Sequence, residues 1–124
     1  MIVRLADTEV IQGPGRKLRL VLSPETTGTK ELSFLHVEFD PGASNELHTH
    51  EGIETMFVTR GGGRFVVDGK SSSFSAGSML VAPAGVPHQI FTGTEGPTEI
   101  ACTYVPPLPS SFLEQVKRAA EKAK

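Results

Sequence analysis

The chain has 124 residues, which fits one domain and leaves little room for a second. Its 38% hydrophobic and 21% charged residues supply a core and argue against disorder, while a formal net charge of −2, with no basic tract before the last segment, leaves nucleic-acid binding no electrostatic footprint. Cys102 is the only cysteine, so no intrachain disulfide is possible, and neither MIVRLADTEV nor any apolar run matches a signal peptide or the ~20 residues of a membrane helix; a cytoplasmic protein without membrane contact is expected.

Scattered glycines and prolines punctuate many short apolar runs, the pattern of an all-β domain. In KLRLVLS, Leu18, Leu20 and Leu22 recur with the period of two that marks a strand with one buried face. In ELSFLHVEFD, Leu35, Val37 and Phe39 point one way and Phe34, His36 and Glu38 the other, before Pro41 and Gly42 end the strand. IETMFVT, GRFVVDG, SMLVAP, HQIFT and TEIACTYV follow, each about one strand long. Asp68–Gly69 suits a hairpin turn because both residues tolerate positive φ. Pro106, Pro107 and Pro109 stop the last strand, and SSFLEQVKRAAEKAK then reads as one helix. Ser111 and Glu114 form a capping box there. Phe112, Leu113, Val116, Ala119, Ala120 and Ala123 make its apolar stripe, and Lys122 and Lys124 sit at the negative end of its dipole. The expected architecture is a β domain over 1–109, with roughly nine to eleven strands, and a helix over 110–124 packed on it or on a neighbouring subunit; strands so spaced form a sandwich, jelly roll or barrel.

The chemistry concentrates in HTHEGIETMFVTRGG, residues 48 to 62. On a strand, positions i and i+2 share a face, so His48 and His50 can reach one metal ion. Glu54 has their parity and Glu51 does not, but Gly52 between them can bend the chain, so both glutamates stay open as ligands. His88, after the rigid turn Pro83–Pro87, supplies a third imidazole if its strand neighbours the pair. Residue spacing alone does not establish that adjacency.

Two motifs make the pattern specific. Gly42, five residues, His48-x-His50, three residues, Glu54, six residues and Gly61 match G-x5-H-x-H-x3-E-x6-G at every fixed position. Gly77, Pro83, Gly85 and His88 match G-x5-P-x-G-x2-H-x3-N, with Thr92 in place of the final Asn. Across residues 42 to 92 the chain therefore resembles the cupin superfamily. That resemblance implies an all-β, double-stranded β-helix jelly-roll barrel with the C-terminal helix attached. It also implies that His48, His50, Glu54 and His88 hold one divalent transition metal, which selects Glu54 over Glu51. Three neutral imidazoles and one carboxylate suit Fe, Mn, Ni, Zn or Cu. Small cupins commonly form homodimers, so the resemblance implies one here.

Other positions carry weaker signals. Met56 and Val58 share the parity of Glu54 and are candidates to line the barrel below the metal, and Phe65 and Phe91 are candidate pocket walls, with plain core packing the simpler reading for all four. Tyr104 alternates with Cys102 and Ile100, so an inward face would let its hydroxyl reach a substrate. His36 is expected on an outer face or subunit interface, with a pocket-wall acid/base role as the second reading. Cys102 has no basic neighbour in sequence and reads as inert, and Arg60 and Arg64 around GGG lack the helix start of a phosphate loop. The functional expectation is a metalloenzyme acting on a small organic substrate, with dioxygenase chemistry foremost and isomerase, decarboxylase and lyase chemistry open; the alternative is a non-catalytic metalloprotein that binds or senses a small ligand.

Overall fold

Alternation in the sequence becomes alternation in burial. The computed structural model describes residues 1–123. Its strands are β1 (Ile11–Gly13), β2 (Arg16–Leu22), β3 (Ser33–Phe39), β4 (Ile53–Arg60), β5 (Gly62–Val67), β6 (Lys70–Ser75), β7 (Met79–Ala82), β8 (His88–Thr92) and β9 (Thr98–Val105). In β3, Ser33, Leu35, Val37 and Phe39 are buried while Phe34, His36 and Glu38 face the other way. In β9, Thr98, Ile100, Cys102 and Tyr104 are buried; in β4, Glu54, Met56 and Val58.

The strands form two antiparallel sheets, one ordered β1-β2-β3-β9-β4-β7 and the other β6-β5-β8. This is the expected all-β jelly-roll barrel. Inward side chains of both sheets meet in one core, with Leu18, Leu35, Met56, Val58 and Ile100 at its most enclosed positions. Removing each such side chain from water contributes about 1.5–3 kcal/mol. The β5–β6 hairpin turns at Asp68 and Gly69, both at positive φ, as their composition predicts. Gly61 also has positive φ, and a Cβ there would crowd the Thr98 hydroxyl and the Pro97 carbonyl, so glycine is required where β4 hands over to β5.

Two local expectations need correction. A one-turn helix, α1 (Pro24–Thr27), follows β2, where only a connection was expected. Its signals are present in the sequence: the Ser23 hydroxyl accepts from the Thr26 amide at 3.0 Å, Pro24 opens the turn, and Gly28 closes it in the left-handed region. The capping box of the last helix, α2 (Phe112–Lys122), does not form. Ser111 already has helical φ and ψ, which does not aim its hydroxyl at the free amides of the first turn. The Ser111 hydroxyl instead accepts from Gln115 Nε2 at 3.2 Å, and the Phe112 amide donates to the Pro109 carbonyl.

α2 lies against β1. Val116 is buried, Phe112 and Leu113 pack partly on the core, Ala119 and Ala120 are half-buried, and Ala123 is exposed. Gly13 makes room for this packing, since a Cβ there would lie 3.0 Å from Val116 Cγ1. Lys124, expected at the helix end with Lys122, lies outside the described residues. No helix among the described residues is long and apolar enough to cross a membrane.

Candidate metal centre

The segment between β3 and β4 is sewn onto β8, and that pairing supplies the adjacency the sequence left open. Isolated antiparallel bridges join Ser44 to Phe91 and His48 to His88. The His48 amide donates to the His88 carbonyl at 3.1 Å and the His88 amide returns the bond at 2.9 Å. The Asn45 side chain accepts from the Ile90 amide at 2.8 Å, and the Gly85 amide donates to the His50 carbonyl at 2.8 Å. Thr92, at the position where the motif has Asn, accepts from the Ala43 amide and donates to the Asp40 carbonyl. Its hydroxyl fixes the turn that starts the loop.

Gly52 does more than bend the chain. A Cβ there would run into the Val105 carbonyl and the Pro106 ring, so glycine lets the chain pass under the end of β9 and enter β4 with Glu54 facing inward. Glu51 remains solvent-exposed and outside the cluster.

The four side chains converge. One donor atom each from His48, His50, Glu54 and His88 lies within 4.8 Å of the others. His48 Nε2 and His50 Nε2 are 3.0 Å apart, and Glu54 Oε1 is 3.1 Å from both His50 Nε2 and His88 Nε2. Adjacent donors around one first-row ion, with bonds of about 2.1 Å, need such spacings. The outer ring nitrogens are also fixed. His48 Nδ1 donates to the Glu46 carbonyl at 2.6 Å and His88 Nδ1 to the Val86 carbonyl at 2.9 Å, which leaves each Nε2 free to ligate. The residues present therefore fit a divalent ion by donor type and spacing and, for His48 and His88, by tautomer.

Protonation follows the same geometry. Burial pushes the Glu54 carboxyl up, but hydrogen bonding with His50, His88 and Tyr104 outweighs it and holds the pKa at about 2. Burial opposes protonation of His88, yet its bonds to Glu54 and the Val86 carbonyl raise its pKa. Burial lowers the His48 pKa, with the neighbouring imidazoles acting in the same direction. The Tyr104 phenol and Cys102 thiol are both pushed well up, first by burial and then by the Glu54 charge, so both stay protonated.

A family model described as the cupin domain matches residues 35–104, more than half of the chain. The chain belongs to the cupin family. A sequence search of curated proteins found no significant match. Among solved structures, the cupin barrel is similar to an RmlC-like cupin from Shewanella frigidimarina, with 25% identity over 86% of this chain and 90% of that one at a TM-score of 0.75. A predicted oxalate decarboxylase from Thermotoga maritima shares 28% identity over 85% of this chain and 98% of that one, at a TM-score of 0.74. Bacillus subtilis oxalate decarboxylase, described with Mn(II) centres, shares the fold at 24% identity over 90% of this chain and 32% of that one, with a TM-score of 0.75.

His48, His50 and Glu54 of the cluster lie on the wall of a cavity of about 260 Å³ in this cupin barrel, with the buried His88 behind them. Met56 and Tyr104 also line the cavity, and the Tyr104 ring stands edge-on to His50 with centroids 5.1 Å apart. Phe65 is buried with its ring 6.4 Å from His88, behind the histidine rather than on the cavity wall. Phe91 faces outward, where the Arg64 guanidinium stacks on it at 4.6 Å, so it walls no pocket. The strand register explains this: Ile90 and Phe91 are consecutive, and Ile90 takes the inward position. His36 lies on the outer face of β3, with Nε2 3.5 Å from Glu99 Oε1, which corrects its second reading as an acid/base in the pocket. Arg60 joins the same Glu99 at 3.7 Å on the surface. Arg16 and Glu46 are charged lining residues that the sequence did not single out. The available signal for Arg16 was its parity with Leu18, two positions on in GRKLRLVLS.

Proposed function

We propose that this cupin binds one divalent transition-metal ion through His48, His50, Glu54 and His88 and is an enzyme acting on a small organic substrate. The observation that carries the reading is the convergence of three imidazole Nε2 atoms and one carboxylate oxygen beside a cavity that His48, His50 and Glu54 line. A bound ion of the Fe, Mn, Ni, Zn or Cu type supplies Lewis-acid polarisation of a substrate oxygen or a place for dioxygen. The protein's own contribution is to keep the Glu54 carboxylate ionised, to orient His48 and His88 through the Glu46 and Val86 carbonyls, and to present the protonated Tyr104 hydroxyl as a hydrogen-bond donor beside them. Oxidoreductase chemistry of the dioxygenase type is the first reaction class to test, and the similarity to a predicted oxalate decarboxylase supports testing decarboxylation beside it.

A second reading, a metalloprotein that binds or senses a ligand without turnover, is favoured by one observation. The Cys102 and Tyr104 groups lining the cavity are both pushed away from neutral pH, so neither is tuned as a general base. Metal analysis of protein purified without chelators, alongside His48→Ala and Glu54→Ala, tests the site; full metal content in both variants defeats the assignment. Oxygen-uptake and product assays against catechols, diketones, flavonols, thiols and small carboxylic acids then separate the readings. Tight binding of one compound without turnover of any selects the second.

A homodimer is part of the proposal. Ile53 and Phe57 of β4, Met79 and Val81 of β7 and Val105 of β9 are exposed on the outer face of the large sheet, and β7 is its edge strand. An apolar face beside an open sheet edge favours coverage by a second copy. The free, buried Cys102 supports a reducing, cytoplasmic setting.

A further inference from the structure

Arg16 is the one guanidinium among the residues that line the cavity. It starts β2, directly opposite the buried Phe39 of β3. Residues directly opposite in an antiparallel pair point to the same side, so Arg16 faces inward with Phe39 and with Leu18. Across β1 it pairs with Gly13, and a Cβ on that glycine would come within 3.3 Å of Arg16 Cγ. The missing side chain therefore gives the arginine stem its course beneath α2.

The guanidinium forms no ion pair and donates no hydrogen bond among the described residues. The salt bridges there involve His36, His50, His88, Arg60 and Lys117. Glu54 and Glu46, the carboxylates lining the same cavity, attract it only at a distance. Arg16 is half-buried, so its unpaired guanidinium is open to the cavity solvent, and its planar fork is shaped to take a carboxylate through two parallel hydrogen bonds. The cavity's charged side chains are Arg16, Glu46 and Glu54. With neutral imidazoles, a divalent ion turns that sum from minus one to plus one, which one more negative charge would balance. The volume, about 260 Å³, is below the ~300 Å³ at which drug-sized pockets begin, so the ligand is compact.

We infer that Arg16 is the anion anchor of this cavity, and that the ligand is a small organic acid whose carboxylate sits on Arg16 while another of its oxygens is presented to the His48–His50–Glu54 wall of the metal site. The inference rests on the metal reading for the second contact and for the positive charge of the cavity, while the Arg16 contact itself does not.

Calorimetry on wild-type protein, Arg16→Leu and Arg16→Lys tests it, first with Mn²⁺ alone, then with glycolate and pyruvate and their neutral counterparts glycolamide and pyruvamide. The expected result is binding of at least one acid to the wild type, at least about tenfold tighter than its amide, and a loss of at least about tenfold in Arg16→Leu. Mn²⁺ affinity stays within about twofold in that variant, because Arg16 donates nothing to the metal. Equal acid binding by wild type and Arg16→Leu overturns the inference, as does equal binding of acid and amide or silence of the wild type towards both acids. Should Arg16→Leu fail to fold, Arg16→Lys decides: acid binding weakened at least about threefold with Mn²⁺ uptake intact supports the fork, and unchanged binding overturns it. A wild type that takes up no Mn²⁺ defeats the metal reading alone, and acid binding by the metal-free protein then decides for Arg16.

Discussion

Two of the histidine–glutamate contacts among the described residues, His88–Glu54 and His36–Glu99, differ in nearly everything except composition. His88 and Glu54 meet at 3.1 Å inside the barrel, where both are buried and two further imidazoles point at the same spot. His36 and Glu99 meet at 3.5 Å on the outer face of β3 and β9, partly exposed, with Arg60 as the further partner. Outside, solvent screens the pair, and no other imidazole or carboxylate joins it in a metal-ligating cluster among the described residues. Inside, desolvation makes an unshared charge expensive, so a carboxylate and three imidazoles persist only by satisfying one another or a common ion. Enclosure and convergence, not the residue pair, make the inner contact a candidate site.

The comparison breaks most readily at the ligands. Glu54→Ala and His88→Ala are each expected to weaken Mn²⁺ binding by at least about a hundredfold, whereas His36→Ala leaves it within about twofold, all read by calorimetry. A His36→Ala protein that loses metal would erase the distinction.

Packing gives the next largest contrast. Ile100→Ala, at an inward position of β9, is expected to cost about 2–5 kcal/mol in urea denaturation. Phe57→Ala, on the exposed outer face of β4, is expected to cost less than about 1 kcal/mol in a monomer while shifting a dimer towards monomer by light scattering. Equal losses at the two positions would mean the outer face is as enclosed as the inner.

Acid sharpens the difference between the carboxylates. The folded-state pKa of Glu54 is about 2 against an ordinary 4.5. Its contribution to stability is therefore present above pH 4.5 and is lost as pH falls from there towards about 2. It amounts to at most about 3 kcal/mol in the metal-free protein. His48, with a lowered pKa, also loses stability as pH falls below 6.5, whereas His88, with a raised pKa, gains stability on acidification, so the two oppose each other near neutrality. Denaturation between pH 7 and pH 3 should show a shallow slope that steepens below about 4.5, and Glu54→Gln should remove the steep part. An unchanged steep limb in Glu54→Gln would assign it to other carboxylates. Metal release is expected as pH falls below about 6, because a protonated imidazole cannot ligate.

The smallest expected effect is on the surface. His36→Ala should change stability by no more than about 0.5 kcal/mol, since a partly exposed pair contributes little. A larger loss would show that the outer contact is not a simple surface pair.

Most of this contrast was legible in the chain. Alternation in ELSFLHVEFD separated His36 from the inward Leu35, Val37 and Phe39, and the structure keeps that division. The same parity applied to GRKLRLVLS would have placed Arg16 inward with Leu18, but the run of leucines draws attention away from the charge that begins it. Phe91 walls no pocket because its parity is opposite to that of the inward His88 and Ile90, and Arg64 covers it on the outside. The capping box failed because a Ser-x-x-Glu pattern does not specify backbone angles, and Ser111 is already helical.

By itself the sequence determined the strand pattern, the inward parity of β3, the fixed spacing of two motifs and hence the family. These are local or periodic properties, written in residue order and in the backbone's period of two. Only the tertiary structure decided that His48 and His88 pair backbone to backbone, that Gly52 must be glycine because Val105 and Pro106 pass over it, and that Arg16 shares a cavity with Glu54. Those contacts join residues dozens of positions apart, and their distances are set by how the two sheets close on one another.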